Sequence, residues 1–223
     1  MSRAIFAGLF TEGSTDQRFL GSVVKRTFDN VAIECKGDIE IELFPIIITK
    51  TGLCFKDQVL EASKKGIDDY GIMILCIHTD ADEETDERAF RTKIIPAIQA
   101  LESMKGQNYC KVFSIIVPVQ MVESWMLADT ELFKREICSL ETDFDLGIHR
   151  SPETIADPKS AVQKALRISV QDKSKRRRRE LTISNLYLPI GQKIDLNRLR
   201  ALPSYLKFEE SVRAALRSLN FMQ

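Results

Sequence analysis

Four short apolar runs alternate with four stretches of helical periodicity across residues 1–136, and that alternation leaves few folds open to the chain. The runs are RAIFAGLF (3–10), IEIELFPIIIT (39–49), YGIMILCIHT (70–79) and CKVFSIIVPVQ (110–120). After the first, Phe19, Leu20, Val23 and Val24 recur at helical spacing, behind Ser14 or Thr15 as cap and on to about Phe28. After the second, residues 54–69 carry Phe55, Val59, Leu60 and Ala62 on one face. Residues 86–104 and 122–136 supply two more helices, the former with Pro96 as a candidate kink. The β-α-β-α-β-α-β-α order predicts an α/β fold with a mostly parallel four-stranded sheet flanked by helices. The third run is apolar throughout, as expected of a strand covered on both faces. In such sheets ligands bind beyond the carboxyl ends of the strands.

Residues 137–223 are less regular. Segments 158–169 and 194–219 carry helical periodicity, the latter ending in a helix with Phe208, Val212, Ala215, Leu216 and Leu219. A mostly helical basic extension, 137–223, packed on the 1–136 body is the expectation. The net charge of zero hides a split: residues 1–150 sum to −8 and residues 151–223 to +8. An acidic body suits a cation and a basic end suits a polyanion. The run KSKRRRRE concentrates the positive charge in Lys173, Lys175, Arg176, Arg177, Arg178 and Arg179, the candidate nucleic-acid contacts. No apolar run approaches the roughly 20 residues that span a bilayer, and no signal peptide is read. Five cysteines without a C-x-x-C pair argue against a disulfide framework or a zinc site. They point to a reducing, cytoplasmic compartment.

Three of the four predicted strands end in acid. Glu12 follows the first, Asp80 and Asp82 follow the third, and Glu123 follows the fourth. On an extended segment Asp80 and Asp82 point to one side. Clustered carboxylates repel unless a cation compensates them, and oxygen-only ligands favour Mg²⁺ or Mn²⁺. Trp125, the single tryptophan, is expected to pack its helix on the sheet.

TEGSTDQRFL after the first strand and HTDAD after the third resemble the two acidic motifs of the Toprim fold, found in topoisomerases, bacterial primases, small ribonucleases and overcoming-lysogenization-defect nucleases. The resemblance implies that Glu12, Asp80 and Asp82 bind Mg²⁺ and act on phosphodiesters. Over most of its length the chain is similar to a bacterial Toprim-like family of unknown function, often encoded beside an ATPase. That family reads E-G-x-T-[DE] near its start and E-A-W-L-[LA]-D later. EGSTD (12–16) and ESWMLAD (123–129) match, with Ser124 in place of the usual Ala. DPKSAVQKAL (157–166) and the segment 190–216 look like its C-terminal half.

The implied function is a Mg²⁺- or Mn²⁺-dependent nuclease, working with a partner ATPase in phage defence or DNA repair. Glu12, Asp80, Asp82 and Glu123 are the candidate metal ligands and catalytic acids. Lys159 and Lys193, in the family-like stretches, are candidate catalytic cations. Nucleic acid, an ATPase and a second copy of the chain are the candidate partners. A non-catalytic adaptor or toxin subunit under ATPase control is the competing reading, favoured by the lack of a recognisable lysine or arginine beside the D-x-D. A phosphatase or phosphotransferase acting on small phosphoesters is a third, and would need no basic run.

Overall fold

The computed structural model describes residues 3–106, 108–171 and 181–222. Strands β1 (Arg3–Phe10), β2 (Ile39–Pro45), β3 (Ile74–His78) and β4 (Phe113–Ile116) form one all-parallel sheet in the order β2-β1-β3-β4. The expected α/β architecture is the one observed. Helices α1 (Ser14–Ala32) and α2 (Phe55–Tyr70) follow β1 and β2. After β3 come α3 (Glu87–Ala89), a π-helical turn (Phe90–Ile94) and α4 (Ile95–Ser103). After β4 come α5 (Val122–Met126) and α6 (Thr130–Glu136). The remainder holds α7 (Pro158–Ser169), α8 (Tyr187–Lys193), α9 (Leu196–Leu199) and α10 (Pro203–Ser218). Among the described residues no helix is long and apolar enough to cross a membrane.

Alternation along the central strands builds two cores. Leu9, Ile74 and Cys76 point to one face of the sheet, while Phe10, Leu75 and Ile77 point to the other. The second face is covered by α2 and α4 through Val59, Ala62, Ala97 and Leu101. The first face is covered by α1 together with elements from beyond residue 136. Tyr187 and Ile190 of α8 and Tyr205, Phe208 and Val212 of α10 join Phe19, Val23 and Trp125 in one cluster. Fully burying an apolar side chain of this size contributes about 1.5–3 kcal/mol. Trp125 packs as expected: it is fully buried, edge-on to Tyr205 at 5.3 Å, and its ring N–H donates to Ser204 Oγ at 2.7 Å.

Several boundaries differ from the sequence expectation, each for a local reason. The β2 ladder ends at Pro45 rather than at Thr49: Ile46 N still donates to Leu9 O at 2.9 Å, but β1 itself runs only to Phe10. Tyr70 belongs to α2, which closes at Gly71 in the left-handed region (φ 63°), so β3 begins at Ile74. The expected helix 122–136 is two helices, because Asp129 caps α6 by accepting from Leu132 N at 3.0 Å. Pro96 acts ahead of itself. It lies in the first turn of α4, and its ring would crowd the Thr92 carbonyl, so the helix widens into a π turn over Phe90–Ile94.

Candidate metal centre

The register of β1 on β3 pairs Phe10 with Ile77, so the segments leaving both strands run side by side. Glu12 and Thr79 meet there, Thr79 Oγ1 donating to Glu12 Oε2 at 2.5 Å. One helical turn past Glu12, Asp16 folds back and accepts from Gly13 N at 2.9 Å. Asp80 Oδ1 accepts from Val122 N at 3.0 Å, tying the end of β3 to the start of α5. Asp82 breaks the extended geometry on which the same-side expectation rested. Its φ is 55°, its N–H donates to Gln120 O at 2.8 Å, and its side chain is 67% exposed. It reaches the cluster from the solvent side, not as a second rung beside Asp80.

His78, at the last position of β3, is fully buried beneath these acids. Its Nε2 stands 3.4 Å from Asp80 Oδ1 and its Nδ1 4.0 Å from Asp16 Oδ2. Neither contact has the geometry of a hydrogen bond, so among the described residues both ring nitrogens are buried without a hydrogen-bond partner. Among the described residues, the group of three metal-ligating types whose ligand atoms all lie within 4.8 Å of one another is Asp16, His78 and Asp80.

The electrostatics are those of crowded negative charge. Burial raises the Asp16 carboxyl above its ordinary range, and Asp80 adds to the rise against the pull of His78. Burial and Asp80 likewise raise Asp82, against Lys93. For His78, burial pulls the imidazole down, but Asp80, Asp16 and Glu12 outweigh it and the net shift is upward.

Lys93, carried by the π turn, is the cation that answers these acids directly. Its Nζ lies 3.1 Å and 3.3 Å from the Glu12 carboxylate oxygens, 2.8 Å from Thr79 Oγ1 and 3.9 Å from Asp82 Oδ2. With Lys93 and the nearby Lys50 counted and His78 neutral, the form in which an imidazole can ligate a metal, the carboxylates of Glu12, Asp16, Asp80 and Asp82 still leave two negative charges uncompensated. That is the charge of one divalent ion. The donor set, carboxylate oxygens with a buried imidazole free of hydrogen bonds, fits such an ion.

The other predicted residues are more dispersed. Glu123, 4% exposed, sits on α5 and accepts a short hydrogen bond from the Tyr187 hydroxyl. Burial raises its carboxyl, the Tyr187 bond opposes the rise, and Asp80 is near enough to add to it. Lys159, near the start of α7, is close enough to pull Glu123 down. Lys193 is paired with Glu136 at 2.8 Å. Lys173, Lys175, Arg176, Arg177, Arg178 and Arg179 lie outside the described residues. Three members of the cluster were not singled out as ligands or site residues from sequence. Asp16 had a signal, four residues after Glu12 and one turn into a helix. His78 had a weaker one, two residues before Asp80. Lys93 had none, because its approach depends on the π turn. Compared with protein-family models, with curated proteins and with solved structures, the chain matches none of them.

Proposed function

We propose that the protein is a divalent-cation-dependent nuclease of Toprim type, acting with a partner ATPase in phage defence or DNA repair. The observation that carries the reading is the convergence of Glu12, Asp16, Asp80 and Asp82 at the carboxyl ends of two adjacent parallel strands, with two negative charges left over. These four residues, with His78 behind them, would hold Mg²⁺ or Mn²⁺; the imidazole nitrogen shifts the preference toward Mn²⁺. Bound there, the cation supplies Lewis-acid polarisation of a phosphoryl oxygen. The chain's own groups do the rest. Asp80 is fixed by Val122 N, so its free oxygen has a set direction. Glu12 is held in place for the cation by Thr79 and Lys93. The specific substrate, nucleic acid, rests on the motif resemblance and on the basic run at 173–179.

The adaptor reading drew on the lack of a cation beside the D-x-D. Lys93 supplies that cation, which favours the enzyme.

The test is cleavage of labelled single- and double-stranded DNA and RNA with Mn²⁺, with Mg²⁺ and with a chelator, for the wild type and Glu12→Gln. Cation-dependent cleavage that falls by more than ~10²-fold in the variant is the expected result, since even outer-shell partners cost 10–100-fold. Cleavage that survives chelation, or that Glu12→Gln leaves intact, contradicts the reading.

A further inference from the structure

Lys93 departs from what a surface lysine does. Its side chain is 27% exposed and reaches across the top of the sheet to contact Glu12, Thr79 and Asp82 together. Its ammonium also lies 5.8 Å from the Phe55 ring centroid. The neighbouring lysine behaves differently: Lys50 donates to the Thr11 and Glu12 carbonyls, both at 2.6 Å, and acts on the Glu12 and Asp16 carboxylates only through space. An ion pair this exposed adds little to fold stability. Its place matters more than its strength. The ammonium contacts both Glu12 and Asp82, two of the carboxylates assigned above to a cation.

We infer that Lys93 is a catalytic residue of the reaction proposed above, on which this inference rests. Its ammonium screens Glu12 and Asp82 while no cation is bound, and moves to a non-bridging oxygen of the phosphodiester once one is. The exchange needs no change in protonation. A lysine has three donors on a flexible stem, so it can leave two carboxylates and meet a phosphate oxygen over a short distance. A donor at that oxygen stabilises the charge that grows in the transition state. Lys93 therefore opposes cation binding and favours the chemistry, two effects that a purely structural ion pair would not combine.

The test uses the full chain, Mn²⁺ alone as the first probe, and the variants Lys93→Met and Lys93→Arg. Mn²⁺ affinity is read from the shift in thermal unfolding and checked by calorimetry; cleavage is read separately. Removing a unit charge ~4 Å from the ligands changes affinity at least ~5-fold, even at the dielectric of water. Lys93→Met is expected to bind Mn²⁺ tighter by that factor and to cleave ~10²-fold more slowly. Lys93→Arg is expected to return Mn²⁺ affinity to the wild-type value and part of the cleavage. Should Lys93→Met fail to fold, Lys93→Gln, which can keep a bond to Thr79, is read in the same way. Unchanged or weaker Mn²⁺ binding in the neutral variant overturns the role of Lys93 and leaves the cation site standing, because the wild type still responds. No response to millimolar Mn²⁺ in either protein overturns both.

Discussion

His78 carries an unusual burden for a buried residue. Among the described residues both ring nitrogens lack hydrogen-bond partners, and acids approach from two sides. Desolvation disfavours the imidazolium, but Asp80, Asp16 and Glu12 outweigh it, so the folded-state pKa lies above the ordinary 6.5. The linkage has a definite sign. A raised pKa gives stability that is complete below the unfolded value and lost as pH rises through the folded one. Asp16 and Asp82, also raised, act in the same direction from 3.8 upward. In chelator, the stability difference between the wild type and His78→Gln is therefore expected to be greatest near pH 5 and to shrink above about pH 6.5. Urea unfolding across that range checks it; a difference that grows with pH contradicts the assignment. At this scale the sequence was partly readable. Glu12, Asp80 and Asp82 stand out together, because they follow two apolar runs at the ligand-binding end of the predicted parallel sheet. The left-handed turn at Asp82 is not readable, since nothing in HTDAD fixes φ at 55°.

Helices, not strands, decide how the centre is completed. The π turn aims Lys93, and α8 brings Tyr187 to Glu123. The position of α8 depends on one close approach. A Cβ at Gly191 would stand 2.5 Å from the Phe19 carbonyl oxygen and 2.9 Å from Phe19 Cα, both backbone atoms of α1 that cannot swing aside. Gly191→Ala is expected to destabilise the protein by about 1–3 kcal/mol through overpacking. It should also weaken cation binding, because the clash falls on Phe19, three residues beyond Asp16 on α1. Denaturant unfolding and a Mn²⁺ titration of the variant check both. The sheet-forming elements were legible from periodicity, with errors confined to ends. Tyr70 reads as strand by hydrophobicity, yet it closes α2 and stacks on Phe44 at 4.6 Å. The π turn was legible only as Pro96; the proline marks a disturbance without saying where in the preceding turn the helix will widen.

Across the whole molecule, the sequence division at residue 136 does not divide the core. Trp125 packs against Tyr205 and Phe208, and Ser211 donates to the Ile115 carbonyl at 3.3 Å and accepts from Ile115 N at 3.0 Å. The last long helix, α10, is thus tied to the sheet that carries the acids. A cation seated between β1 and β3 would brace this same unit, so its binding must register as global stability. Thermal unfolding with Mn²⁺ or Mg²⁺ titrated in is the direct measurement, for the wild type and for Asp80→Asn/Asp82→Asn. Asn suits the φ of residue 82 and keeps an acceptor for Val122 N, so the variant loses charge with little else. A cation at 100 times its Kd adds about 2.7 kcal/mol, which for a chain of this size raises the midpoint by roughly 5 °C or more. The account predicts that shift in the wild type and its loss in the double variant. A wild type indifferent to millimolar cation, or a shift that the double variant retains, would contradict it.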